Sequence, residues 1–94
     1  MRKSTHTPEY TALRAQLYKA RADAGLSLRD LAARLRVPHS WIAKVESGER
    51  RIDLIEYCWV MAACGADAEN LLVKLARTVI SGRDAASGKA SREK

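Results

Sequence analysis

Two histidines, two cysteines and a run of basic residues are the groups in this chain whose types could do chemistry. Cys58 and Cys64 stand six apart in an apolar stretch, a spacing that fits neither a C-x-x-C redox pair nor paired metal ligands. On one helix they would lie nearly two turns apart, about 9 Å of rise, which is more than a disulfide spans. Both are read as reduced core residues. Neither histidine has a cysteine partner at ligand spacing, and the sequence holds no nucleophile motif and no Gly-rich phosphate loop. Catalysis, a metal and a cofactor are therefore not expected.

The basic residues remain. Net charge is +6 and the pI is near 9.8, a balance that suggests a polyanionic partner. The charge is unevenly placed. Residues 27–51 carry Arg29, Arg34, Arg36, Lys44, Arg50 and Arg51 against Asp30, Glu46 and Glu49, an excess of three, whereas residues 53–72 carry only Asp53, Glu56, Asp67 and Glu69. One part of the fold is basic and another acidic. The rest of the positive charge lies at the ends, in Arg2 and Lys3 and in the last dozen residues.

Helices must position these groups, because the punctuation at Pro8, Gly25, Pro38, Gly48, Gly65 and Gly82 separates stretches of helical periodicity and no stretch alternates as a strand does;. The first helix is expected from about Pro8 to Ala24, with Leu13, Leu17, Ala20 and Ala24 on its apolar stripe. Ser27 caps a second, with Asp30 three residues on in the short-acid form of the capping box and Leu28, Leu31, Ala32 and Leu35 on the buried face. Pro38 turns the chain and opens a third helix that Gly48 closes. Asp53 caps a fourth reaching Cys64, and Asp67 a fifth carrying Leu71, Leu72, Leu75 and Val79, ended by Gly82. The fold class is thus all-α, a five-helix domain over 8–81. Residues 82–94, without an apolar stripe, read as a flexible basic tail. No apolar run approaches a membrane span, and the polar start lacks the apolar centre of a signal peptide, so a cytoplasmic location without membrane association is expected. With no Phe and many Ala, the core must come from Leu, Ile, Val and Trp. A chain this short is only marginally stable alone, so help from a second subunit is expected.

On the third helix, at about 100° per residue, Ile42 and Val45 centre on one side and Ser40, Ala43, Lys44 and Ser47 on the other. His39 projects from the first turn beside that second side, and Trp41 lies at the boundary. Two readings stand for the polar side. It is a solvated surface, or it is a recognition helix whose small residues let the backbone enter a major groove about 12 Å wide while polar groups near its start reach base edges. The helix, Pro-marked turn and second helix inside a basic segment favour the latter.

The stretch LSLRDLAARLRVPHSWIAKVESGERRIDLIEYCWVMAACGADAENLL resembles the Xre/Cro-repressor helix-turn-helix family, of the lambda-repressor-like type. The resemblance rests on L-S-x-x-x-L-A, on V-x-x-x-x-I-x-x-x-E, on the S-G-E-R-R loop and on A-x-x-G-A-D, and it spans about residues 10–75. It implies a five-helix fold that binds paired half-sites of double-stranded DNA as a homodimer. It places base reading on His39, Ser40 and Lys44, with Ala43 meeting a thymine methyl. It places phosphate contacts at Ser27 and the start of the second helix, and at the backbone around Gly48 and Arg50; Trp41, Ser47 and Arg51 are expected to contact phosphate on the same surface. It also pairs Arg21 with Glu46 as a structural ion pair. Three positions depart from the family's pattern. Leu28 stands where a Gln commonly touches phosphate, so Arg29 is expected to take that task. Arg36 stands where Gly is common in the turn, so a left-handed conformation there would carry strain, offset by a phosphate contact. Pro38 replaces the usual Ser or Thr cap of the third helix.

A second surface is apolar. The fourth helix carries Leu54, Cys58, Met61 and Ala62 on the stripe expected to face the core, yet Ile55, Tyr57, Trp59 and Val60 cover much of the rest. Either the first and fifth helices bury it, or Ile55, Trp59, Val79 and Ile80 form a subunit interface. The same surface supports the alternative to a repressor or autorepressor: an antitoxin or adapter that acts through a protein partner.

Overall fold

The computed structural model describes residues 7–87. They form α1 (Pro8–Asp23), α2 (Leu28–Leu35), α3 (His39–Ser47), α4 (Leu54–Ala63) and α5 (Ala68–Ser87), with no strand among the described residues. The fold class is all-α.

Side-chain caps set most of the helix starts. The Thr7 hydroxyl accepts the Tyr10 N–H at the head of α1, with Pro8 in its first turn. Ser27 and Asp30 cap one another's backbone at α2, and Asp53 and Glu56 do the same at α4. Asp67 accepts the Asn70 N–H at α5. Each such cap is typically worth about 1 kcal/mol. At α3 the cap position is Pro38, which makes no side-chain cap hydrogen bond. α2 closes on Arg36 in the left-handed region (φ 59°, ψ 45°) and α3 on Gly48 (φ 87°). Arg36 therefore takes the conformation that a glycine would adopt without strain.

Leu17, Leu31 and Met61 are the largest fully buried side chains, with Ile42, Val45, Tyr57 and Val60 around them. α2 packs on α3 and α4, while α1 packs on α3, α4 and α5. Gln16 Nε2 donates to the Leu71 carbonyl (2.8 Å) and Gln16 Oε1 accepts from the Tyr57 hydroxyl (2.6 Å), joining α1, α4 and α5. Burial pushes the Tyr57 hydroxyl above its ordinary pKa. The Glu9 carboxylate lies beside Gly82, so α1 and α5 run antiparallel.

Several expectations are corrected. α5 passes through Gly82 and reaches Ser87. Gly82 is not in the left-handed region, and glycine within a helix costs only about 1 kcal/mol, too little to end one that still packs on a neighbour. The tail assigned to 82–94 thus begins as helix, and residues 88–94, like Arg2 and Lys3, lie outside the described residues. α4 buries Tyr57, Val60, Met61 and Cys64, so Leu54, Cys58 and Ala62 point outward instead of coreward. An apolar residue on every side leaves the rotation of a helix to its neighbours. Cys58 is accordingly an exposed thiol and Cys64 a buried one, both unbridged. The expected Trp contribution to the core falls to Tyr57 and Met61, since Trp59 is exposed and Trp41 only half-buried. Ala24, assigned to the stripe of α1, is likewise exposed.

Candidate nucleic-acid interface

α3 turns Ile42 and Val45 into the core and leaves His39, Ser40, Lys44 and Ser47 exposed, with Trp41 and Ala43 half-buried beside them. The core packing of α2 against α3 thus orients the polar side outward. Pro38 supplies no side-chain cap, although its carbonyl accepts the Trp41 N–H (2.9 Å), and the positive end of the helix dipole opens where His39 and Ser40 stand;. Ser27 and Arg29 at the start of α2, and Arg36 in the turn, are exposed as well. The Ser27 N–H, which donates to the Asp30 carboxylate (2.9 Å), and secondarily the nearby Ser27 hydroxyl hold the Asp30 carboxyl below its ordinary pKa, so Asp30 steadies the cap while adding a negative charge near Arg29. The Arg34 guanidinium donates to the Ala63 carbonyl (2.8 Å), closing the end of α4.

The loop after α3 differs from expectation. Gly48 is buried, and the N–H groups of Gly48, Glu49 and Arg50 all donate to carbonyls of α3 (Val45 and Lys44). Those backbone donors close the helix and are not available to a phosphate. A Cβ at Gly48 would come within 3.1 Å of the Arg14 guanidinium, so close approach as well as φ calls for glycine there. The Ser47 hydroxyl lies within hydrogen-bond distance of the Lys44 carbonyl and the Glu49 carboxylate. The Arg50 guanidinium is held by Glu56 and stacks over Trp41, and that of Arg51 lies 5.8 Å from the Tyr10 ring centroid. Tyr10 in turn exchanges hydrogen bonds with the Ile52 backbone.

Arg21 and Glu46 meet in a two-point ion pair, Nε–Oε2 2.7 Å and Nη2–Oε1 2.9 Å, with side chains 14% and 15% exposed. Arg21 Nη1 also donates to the Leu26 carbonyl (2.9 Å). The hydrogen bond to Glu46 raises the Arg21 pKa further, against the opposing effect of burial. The pair ties α1 to the end of α3 and so fixes the far end of the exposed helix. Glu56, Gln16 and Tyr57 were not singled out from sequence. Of these only Glu56 carries a local signal, the D-x-x-E spacing from Asp53 that marks a capping box.

Ile55, Trp59 and Ile80 are exposed at 58%, 58% and 61%, and Val79 at 37%. The free face of α4 repeats at i, i+3, i+4 and i+7 through Ile55, Cys58, Trp59 and Ala62. Among the described residues no helix is long and apolar enough to cross a membrane, and no group of three potential metal ligands occurs.

Residues 12–72 match the profile of a helix-turn-helix domain family. The chain is similar to a solved structure, the XRE-family like protein from Pseudomonas syringae pv. tomato str. DC3000. The identity is 41%, over 81% of this chain and 93% of that one, with a TM-score of 0.73. No curated protein is significantly similar in sequence. With α2 and α3 forming the helix-turn-helix and its polar side turned outward, the chain belongs to the Xre-type helix-turn-helix family.

Proposed function

We propose that the chain is a sequence-specific DNA-binding regulator of transcription, a repressor or autorepressor that binds a pseudo-palindromic operator as a homodimer. The observation that carries this reading is the outward side of α3, where His39, Ser40 and Lys44 are exposed around the small Ala43 at a helix start without a side-chain cap. Lys44 reads a base edge, His39 and Ser40 reach the groove from the first turn, and Ala43 meets a thymine methyl. Ser27, Arg29, Arg36, Arg51 and the edge of Trp41 contact the sugar-phosphate backbone and set register without reading sequence. Half-sites lie about 34 Å apart along the duplex, one per subunit. Replacing Lys44 by Ala should cost about 1–3 kcal/mol on the operator at one base-pair position. Equal losses on operator and random DNA would remove Lys44 from base reading.

The exposed apolar face of α4 supports the second subunit, with Ile55 and Trp59 at its centre and Val79 and Ile80 on α5. It equally suits a different protein, as in an antitoxin or adapter. The mass of the purified chain in solution distinguishes them: a dimer supports the operator reading, and a stable complex with a second small protein supports the other.

A further inference from the structure

Arg50 carries a guanidinium that a basic loop beside a recognition helix would be expected to present to phosphate, yet its terminal fork, though the side chain is 37% exposed, is already engaged within the chain. Nη1 donates to the Arg51 carbonyl (2.6 Å), and Nη1 and Nη2 each lie 3.3 Å from an oxygen of the Glu56 carboxylate. Cζ stands 4.7 Å from the centroid of the Trp41 ring. The fork is filled by a carboxylate and one face is covered by an indole, the arrangement in which a planar guanidinium does what an ammonium cannot. Glu56 is itself fixed, since it accepts the Asp53 N–H (3.0 Å) in the capping box of α4 and its side chain is only 19% exposed. A continuous strut therefore runs from the first turn of α4 through Arg50 to Trp41. Were Arg50 to leave for a phosphate, a largely buried carboxylate would be left uncompensated beside a polyanion.

Trp41 is where the strut ends, and that position matters for reading DNA. The far end of α3 is held by the Arg21–Glu46 pair and its inner side by Ile42 and Val45, but its start has no side-chain cap, so Trp41 is a further hold on the first turn that carries His39 and Ser40. We propose that Arg50 is a positioning residue for base reading: through Trp41 it sets the first turns of α3 against α4, and it contacts no phosphate. This assignment rests on the DNA-binding reading given above.

The test uses the full chain and two duplexes, the tightest binder selected from a random pool and a shuffled duplex of equal length and composition. Affinity for each is measured against salt for the wild type, Arg50→Lys, Arg50→Gln and Glu56→Gln, with circular dichroism to establish that each variant is folded. Glu56→Gln keeps an oxygen for the capping box while removing the partner charge. Both Arg50 variants should lower the ratio of selected to shuffled affinity at least tenfold and leave the log–log salt slope unchanged, and Glu56→Gln should lower the ratio as well. The assignment is overturned if Arg50→Lys keeps the ratio while Arg50→Gln weakens both duplexes alike and reduces the slope by about 0.9, the signature of one lost phosphate contact. A wild-type chain with no preference for the selected duplex overturns the DNA reading itself, and this assignment with it.

Discussion

Replacing Glu46 by Ala should destabilise the fold far more than the loss of an ordinary surface charge. The pair it forms with Arg21 is made at two points, 2.7 and 2.9 Å, with both side chains about one-seventh exposed. Removing one member of a fully buried pair costs about 3–5 kcal/mol, because the other charge is left without compensation. Here Arg21 keeps the Leu26 carbonyl, lies 5.2 Å from the Tyr18 ring centroid and retains some contact with water. A cost of about 2–3 kcal/mol follows, below the fully buried case and well above the exposed one. For a domain of this size each kcal/mol moves the melting temperature by about 4–8 °C, so a fall of about 10–20 °C is expected. Thermal melts at low and high salt provide the assay. Partial burial predicts that the loss persists at high salt, and that Arg21→Met combined with Glu46→Leu recovers much of it by removing both charges. A loss under about 1 kcal/mol that disappears in high salt would refute the reasoning, since that is how an exposed pair behaves.

Arg36→Gly should raise stability by about 0.5–1 kcal/mol in a denaturant titration, because the left-handed backbone at this position strains any residue with a Cβ;. An unchanged midpoint would mean that the turn relaxes around Arg36 at little cost. Cys58 should react with a thiol reagent in the native chain at the rate of an exposed thiol, whereas Cys64, buried and with its pKa raised by burial, should react only on unfolding; mass spectrometry of partial alkylation counts the sites, and two rapid modifications would contradict the packing of α4. Asp30 has a folded pKa below its ordinary 3.8, so its contribution is present above the unfolded value and fades as pH falls through the folded one. Denaturant midpoints taken across the acid range should therefore fall less steeply below about pH 4 for Asp30→Asn than for the wild type; identical pH dependence would remove the capping box as the cause.

The helix order was legible because local chemistry marks it: Ser27 with Asp30, Asp53 and Asp67 are caps, and Pro38 and Gly48 bracket α3. The inward side of α3 was legible for the same reason, since Ile42 and Val45 share one side, with Trp41 at its border and polar or small residues elsewhere. The rotation of α4 was not, because Leu54, Ile55, Tyr57, Cys58, Trp59, Val60, Met61 and Ala62 leave no polar side to set it by. Only tertiary contact decides that Tyr57 points in, where its hydroxyl finds Gln16 from 41 residues away. Gly82 misled for a related reason: a glycine ends a helix by turning left-handed, and composition does not tell whether it will. The occupied state of Arg50 was hidden as well. Its charge is visible in the sequence, but the carboxylate that holds it belongs to the next helix.

The most direct test of the central claim is a titration of the chain against the DNA upstream of its own gene, with shuffled DNA of equal length as competitor. Salt is held at about 150 mM, where non-specific binding is weakened. The account predicts footprints that survive the competitor and are symmetric, with two protected half-sites centred about 34 Å apart. Protection that the shuffled competitor abolishes, there and on duplexes selected from random sequence, would contradict it and leave the apolar face of α4 as the functional surface.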